Sequence, residues 1–384
     1  MRIALAAGEA SGDTLGAALV EALRRRFPAA QFAGVTGPKM RAAGCDSWHD
    51  IDELSVMGLT EVLKHLPRLL RLRGALRRRI LDWKPDVFVG IDNKEFNLGL
   101  AKLLKREGLA TVQYVSPQVW AWRPGRARTI GEAVDLLLCL FPFEPAFYRE
   151  YGVRAAFVGH PLADQIPMEV DRAAARAALG IAPDARVLAV LPGSRRGEVE
   201  KLAQPFAQAA ELLAQRYPGL VCLAPMVSPA LKDSFAAIAA TQAPTASIRL
   251  LDGNARGVLA AADVVLVASG TATLETALSK RPMVVAYRLG TVTAFVLRTF
   301  GLVKVRHFSQ PNLLAGRELV PEFFQEAASP ENLAAALARW FDDPAAVARA
   351  TAEFARIHET LRCDGAERAA AEIAELLTAR VATP

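Results

Sequence analysis

The chain has 384 residues, 52% of them hydrophobic and 22% charged, with a formal net charge of +6. That length exceeds one ordinary hydrophobic core and suits two domains, the composition is globular, and no apolar run approaches the ~18 residues of a membrane span. The four cysteines, Cys45, Cys139, Cys222 and Cys363, form no C-x-x-C pair, which argues against zinc or disulfide frameworks and fits reduced cytoplasmic thiols.

The chain opens on a strand over residues 2–7 and meets Glu9 and Asp13 almost at once, which is wrong for a signal peptide. The turn that follows, Gly8-Glu9-Ala10-Ser11-Gly12-Asp13 with Gly16, spaces its glycines as G-x-x-x-G-x-x-x-G. It is neither G-x-G-x-x-G nor a G-K-[ST] loop, so the common NAD and ATP cradles are not expected. Its helix, over 13–27, either offers N–H groups to a polar ligand or simply closes a tight strand–helix turn. A strand over 32–35 follows. Asp50-Ile51-Asp52 looks like a D-x-D metal motif but leads into no diphosphate loop, and no metal role is expected for it.

Between residues 61 and 84 lie Lys64, Arg68, Arg71, Arg73, Arg77, Arg78, Arg79 and Lys84, against only Glu61 and Asp82, so this stretch carries the chain's whole charge excess. Leu63, Leu66, Leu69, Leu70, Leu72, Leu76 and Ile80 are interleaved at helical spacing. The pattern fits a solvated helix with a core-facing stripe and equally a docking face for an anionic membrane surface. Nucleic acid is disfavoured, because side chains that stack on bases are nearly absent there.

A buried strand over 87–91 then delivers Asp92, in Gly90-Ile91-Asp92-Asn93-Lys94-Glu95-Phe96-Asn97. A carboxylate at the end of an apolar strand can be partly desolvated, which favours a proton acceptor; the plainer alternative is a helix cap. Strands over 111–115, 136–140 and 156–158 complete the first half, and the chain breaks after Gly159-His160-Pro161-Leu162, where His160 reads as a hinge residue and 163–171 lacks periodicity.

In the second half, strands are expected over 187–191, 221–224, 248–251, 264–267 and 283–287, with helices over 198–215 and 254–262 and an alanine-rich helical end from Pro330. Pro192-Gly193-Ser194-Arg195-Arg196-Gly197-Glu198 places glycine, hydroxyl and arginine before a helix, a pattern suited to a phosphate. Ala268-Ser269-Gly270-Thr271-Ala272-Thr273-Leu274-Glu275 repeats the arrangement with three hydroxyls. It fits a diphosphate seat, with Glu275 able to accept from ribose hydroxyls, or a simple helix cap. Strands alternating with helices predict an α/β protein with parallel sheets, whose ligands sit beyond the carboxyl ends of the strands. Asp92 and Arg195 would then face one cleft from two lobes. The residues alone reach a two-lobed enzyme using a nucleotide diphosphate.

Taken together, Gly8 to Asp13, Ser116-Pro117-Gln118-Val119-Trp120-Ala121-Trp122, Leu191-Pro192-Gly193-Ser194-Arg195, Leu251-Asp252-Gly253, Ala268-Ser269-Gly270-Thr271-Ala272 and Pro311-Asn312-Leu313-Leu314-Ala315-Gly316-Arg317-Glu318 resemble the lipid-A-disaccharide synthase family, in order from residue 1 to about 365. The resemblance implies a GT-B fold of two Rossmann-like domains with parallel sheets facing a central cleft. Residues 1–165 would form an acceptor- and membrane-facing domain, residues 166–344 a UDP-sugar domain, and closing helices at about 345–384 would pack back on the first. It implies an inverting, metal-free transfer from UDP-2,3-diacylglucosamine to 2,3-diacylglucosamine 1-phosphate, giving a β-1,6 disaccharide 1-phosphate and UDP, with no cofactor.

In that scheme Asp92 is the general base, with Glu9 second, and Arg195 stabilises the leaving diphosphate. Gly193, Ser194, Ser269, Gly270, Thr271, Ala272 and Thr273 would hold the UDP-sugar, Glu275 the ribose and Leu251, Asp252 and Gly253 the uracil, with Asn312 and Glu318 lining the donor side. Ser11, Gly12, Asp13, Ser116, Gln118 and Trp120 would lie on the acceptor side. The family usually reads G-I-D-A-P-D-F-N where this chain has Asn93-Lys94-Glu95 after Asp92, so a stiff Ala-Pro pair is replaced by a more mobile pair carrying a cation. Acylated substrates imply a cytoplasmic enzyme peripheral to the inner membrane, docking through residues 56–80 or 289–308, and leave a homodimer open. Rival readings are a UDP-GlcNAc 2-epimerase-like enzyme and a non-catalytic nucleotide-sugar sensor.

Overall fold

Seven short strands, three of them wholly apolar, make the first sheet among the described residues. They are β1 (Arg2–Ala7), β2 (Gln31–Thr36), β3 (Asp46–Asp50), β4 (Val87–Ile91), β5 (Ala110–Tyr114), β6 (Leu136–Cys139) and β7 (Ala155–Phe157). They run parallel in the order β3-β2-β1-β4-β5-β6-β7. The second sheet holds β8 (Val187–Leu191), β9 (Val221–Met226), β10 (Arg249–Asp252), β11 (Val264–Ala268), β12 (Met283–Tyr287) and β13 (Glu322–Phe324), parallel in the order β10-β9-β8-β11-β12-β13. The computed structural model describes residues 1–54, 59–121, 123–290 and 307–382. It divides into two compact units, Met1–Asp164 with Leu361–Pro384, and Gln165–Thr360. Of the closing helices, Pro344–Leu361 therefore belongs to the second unit up to Thr360, and Gly365–Ala382 to the first.

The alternation of side chains along each strand builds two apolar layers on the first sheet. Ile3 and Leu5 face Leu19 and Leu23 of the helix Ala10–Arg26 and Ile373 of the last helix. Ala4 and Ala6, one residue out of phase, share the other layer with Leu72, Leu76, Ile80, Leu100 and Leu104. The last helix is fastened to this unit by Asp164, whose carboxylate accepts from the backbone N–H groups of Cys363, Asp364 and Gly365 at 3.1, 3.0 and 2.8 Å. One apolar layer of the second unit is centred on Leu188, Val190, Phe206, Leu266 and Leu337, and Ala189, Val265, Val267 and Val285, one residue out of phase, are buried on the other face of its sheet.

The polar edge strand β3 and the three-residue β13 have no counterpart in the strands expected from the sequence, because neither carries an apolar run of its own. The aperiodic stretch 163–171 lies between two short helices, Pro161–Gln165, which runs into its start, and Arg172–Ala178, which follows it. The D-x-D motif is a cap: Asp50 accepts from the Asp52 N–H at 3.0 Å and from Arg41 Nη1 at 2.6 Å, and these bonds hold its carboxyl below the usual range. The basic helix, Leu59–Trp83, buries Leu72, Leu76 and Ile80 and leaves Leu66 and Leu70 42% and 46% exposed. Residues 56–58 and 291–306 of the two expected docking segments lie outside the described residues. Among the described residues no helix is long and apolar enough to cross a membrane. All four cysteines are free thiols.

His160 is buried against Phe141, ring centroids 5.6 Å apart, and its Nδ1 accepts from the Leu162 N–H at 3.2 Å. Burial lowers its pKa from the ordinary 6.5 to about 4. The folded imidazole stays neutral where the unfolded one takes a proton. The contribution is therefore present above pH 6.5 and is lost as pH falls towards 4. At ~1.4 kcal/mol per pKa unit this amounts to about 3 kcal/mol. Urea midpoints for wild type and His160→Asn at pH 7 and pH 4.5 are expected to show a smaller acid loss in the variant; equal losses would show that His160 does not carry the dependence.

Candidate active site

In each sheet some of the expected functional residues follow the two adjacent strands between which the connection reverses direction, the place where open α/β sheets bind ligands. In the first sheet these are β1 and β4, paired from Ile3↔Val87 to Ala7↔Ile91. Glu9 follows β1 and Asp92 follows β4. The two turns touch: Ser11 Oγ donates to Asp92 Oδ2 at 3.4 Å. Asp92 is half-buried, and Glu9 is exposed at the start of the helix Ala10–Arg26, where its side chain makes no capping bond. Gly12 is buried beneath the same turn.

Asp13 differs from its neighbours. Its Oδ1 accepts from the N–H groups of Gly37 and Met40 at 2.9 and 3.0 Å, and its Oδ2 from that of Lys39 at 2.9 Å. Its carboxylate is spent on the start of the helix Pro38–Ala42, because those orphan N–H groups need an acceptor. The expectation that it faces an acceptor gives way to a role as scaffold.

The Ser116–Trp120 motif leaves β5, next to β4. Ser116 Oγ donates to Glu144 Oε1 at 2.6 Å and Trp120 Nε1 donates to the same oxygen at 3.1 Å, while Glu144 Oε2 accepts from the Phe141 N–H at 3.0 Å. Glu144 is 1% exposed. Burial pushes its carboxyl pKa up, and the bonds from Ser116, Phe141 and Trp120 pull it back. This buried carboxylate shapes the motif and leaves Gln118 exposed. Trp122 lies outside the described residues.

In the second sheet the reversal falls between β8 and β11, paired from Val264↔Leu188 to Val267↔Leu191. Gly193, Ser194 and Arg195 follow β8; Ser269 to Thr273 follow β11. Glu198 has drawn the first turn onto itself. Its Oε2 accepts from the N–H groups of Ser194 and Arg195 at 3.0 and 3.3 Å, and its Oε1 from Arg195 Nη1 at 3.2 Å. An internal carboxylate thus occupies the donors that the sequence assigns to a phosphate, so these donors converge on one negative group. Gly193 (φ 130°) permits this, since a Cβ there would lie 2.5 Å from Glu198 Cβ. The Arg195 side chain is 83% exposed.

Gly270, Thr271 and Ala272 begin the helix Thr271–Leu278. Ser269 Oγ donates to the Phe308 carbonyl at 3.2 Å and the buried Thr273 Oγ1 to the Gly270 carbonyl at 2.8 Å, which fixes the turn at the helix start, where the Thr273 N–H also donates to the Gly270 carbonyl at 3.1 Å. Glu275 is half-buried one turn on; desolvation raises its pKa and Arg256 opposes this. Leu251, Asp252 and Gly253 end the edge strand β10, with Lys232 Nζ 2.9 Å from both Asp252 oxygens. Asn312 is fully buried. Its Nδ2 donates to the Val320 carbonyl at 2.8 Å, and its Oδ1 accepts from the Leu319 and Val320 N–H groups at 2.7 and 2.9 Å. It closes the 316–320 loop from within and places Glu318 on the surface.

Sequence reasoning did not single out Glu144 or the amides Asn97 and Gln113, and it quoted Glu198 only as part of its motif. A glutamate three residues after the residue that precedes a helix is the half of a capping box that reaches back to backbone N–H groups, a partial signal available in the sequence. Glu144 carries no such signal.

The two parallel sheets define a GT-B-type glycosyltransferase fold. The calicheamicin glycosyltransferase CalG4 superposes with a TM-score of 0.61 at 17% identity, covering 100% of this chain and 99% of that one. UDP-GlcNAc 2-epimerase from Neisseria meningitidis, bound to UDP-GlcNAc, superposes with a TM-score of 0.65 at 12% identity, covering 98% and 100%. A family model described as lipid-A-disaccharide synthetase matches residues 3–373. The lipid-A-disaccharide synthase of Xanthomonas campestris pv. campestris (strain 8004) is 53% identical over 380 residues, 99% of this chain and 87% of that protein. The chain belongs to the lipid-A-disaccharide synthetase family, and it is a glycosyltransferase of lipid A biosynthesis.

Proposed function

We propose that the protein transfers 2,3-diacylglucosamine from UDP-2,3-diacylglucosamine to the 6-hydroxyl of 2,3-diacylglucosamine 1-phosphate, with inversion and without a metal. The Asp92 carboxylate takes the proton of that hydroxyl. The oxygen bonds to the donor's anomeric carbon from the face opposite the departing diphosphate, the carbon–oxygen bond to the β-phosphate breaks, and UDP leaves. Arg195, Ser194 and the helix N–H groups at 271 and 272 stabilise the charge that builds on the diphosphate. Glu275 accepts from the ribose, and the 251–253 turn borders the uracil. Ser11, Ser116, Gln118 and Trp120 serve the acceptor side, while Asp13 and Asn312 act as supports.

The observation that carries this reading is the strand reversal in each sheet, which delivers the half-buried Asp92 carboxylate after β4 and a convergent set of anion donors after β8. Membership of the family supports the substrate pair. Because both substrates are acylated, the protein works at an anionic bilayer surface on the cytoplasmic side of the inner membrane. The arginines of Leu59–Trp83, with the exposed Leu66 and Leu70, support that docking.

Radiolabelled acceptor incubated with the acylated UDP-sugar is expected to give a labelled disaccharide and an equal amount of UDP, at the same rate with a chelator present. Binding of UDP without any product would mark a sensor. Conversion of UDP-GlcNAc alone would mark an epimerase.

A further inference from the structure

The turn that carries Asp92 is backed by two sealed amides, and we propose that Asn97 and Gln113 are positioning residues that fix the orientation of the Asp92 carboxylate; this rests on Asp92 being the base. Asp92 and Asn93 stand at φ 52° and 27°, in the left-handed region that side-chain-bearing residues rarely adopt. Such backbone persists only where its surroundings over-determine it. Here the Asp92 N–H donates to the Tyr114 carbonyl at 2.9 Å. The Asp92 carbonyl accepts from Gln113 Nε2 at 2.8 Å and from Asn97 Nδ2 at 3.2 Å.

The same two amides tie the neighbouring strand ends together. Asn97 Nδ2 also reaches the carbonyls of Ala6 and Ile91 at 3.0 and 3.2 Å, and Gln113 Nε2 that of Tyr114 at 3.2 Å. The ends of β1, β4 and β5 thus meet in one knot behind the carboxylate. Both side chains are 0% exposed, so neither can touch a substrate. Both spend their donors on carbonyls, and Asn97 Oδ1 and Gln113 Oε1 find no hydrogen-bond partner among the described residues. A buried acceptor left unpaired is a cost, tolerated here because the donors are needed on the other side. Gly90 makes the room: a Cβ there would stand 2.8 Å from both Asn97 Cβ and Gln113 Oε1.

Gln113→Met keeps the side-chain length and removes the donor. A small misplacement of a reacting group can cost ~100-fold in rate. Gln113→Met is therefore expected to lower kcat by about that factor, with KM for the UDP-sugar and the affinity for UDP within about twofold of wild type. Asn97→Ala, which removes the other donor, is expected to behave alike and serves if Gln113→Met does not fold. Each change is also made in the Asp92→Asn background, where it should slow the reaction no further, since residues acting as one unit are non-additive.

A wild-type kcat in both variants, beside an inactive Asp92→Asn, would overturn the clamp and leave the base in place. So would a further, additive loss in the Asp92→Asn background, which a merely structural role produces. A wild-type rate in Asp92→Asn itself would remove the base and the clamp together.

Discussion

Asp92→Asn is expected to lower kcat by about 100- to 10,000-fold, the range supplied by a positioned general base. The substitution is nearly isosteric. It keeps a hydrogen-bonding group opposite Ser11 Oγ and leaves the main-chain bonds to Asn97 and Gln113 untouched, so the turn should hold its shape. What it loses is the ability to accept a proton from the attacking hydroxyl. Steady-state rates on the acylated pair, with a melting curve beside them, check both halves of the expectation. A folded Asp92→Asn protein turning over at the wild-type rate would pass the role to Glu9, exposed at the neighbouring strand end, and Glu9→Gln would then be the inactive variant.

Arg195→Ala is expected to lower kcat by about 100- to 1000-fold, the usual cost of removing one donor aimed at developing charge. Stability should hardly move, because the Arg195–Glu198 pair is exposed on the arginine side and such pairs contribute little. The backbone N–H groups of Ser194 and Arg195 would still cap onto Glu198, so the helix start survives. Arg195→Lys should recover part of the rate, since it restores charge without the bidentate fork. An unchanged kcat in Arg195→Ala would mean that the diphosphate is held elsewhere.

The strands that matter most were legible because they are short apolar runs ending in a polar turn. Val87–Ile91 before Asp92 and Val187–Leu191 before Pro192 announce themselves in this way. The edge strands β3 and β13 did not: Asp46–Asp50 holds one apolar side chain, Trp48, among four polar ones, and Glu322–Phe324 is three residues long. Chain order also hides adjacency. Nothing in the sequence says that β4 lies beside β1, or β11 beside β8, and those neighbours are what mark the candidate site in each unit.

The residues behind the site were the least legible, because their work is local and three-dimensional. Glu144 stands 28 residues after Ser116 in sequence yet holds its hydroxyl. Asn97 stood in a quoted motif and Gln113 in a strand, with no pattern to say that both grip the Asp92 carbonyl. Asp13 and Asn312 show the converse: motif residues whose polar groups the backbone has already taken.

The central claim is a division of labour, in which the residues after β8 and β11 bind the nucleotide and Asp92 acts only on the acceptor hydroxyl. Calorimetric titration of UDP into wild type, Asp92→Asn and Arg195→Ala tests it most directly. The account predicts an unchanged Kd for Asp92→Asn and a Kd weakened by about tenfold or more for Arg195→Ala, about 1.4 kcal/mol or more. Weakened UDP binding in Asp92→Asn, or wild-type binding in Arg195→Ala, would contradict it.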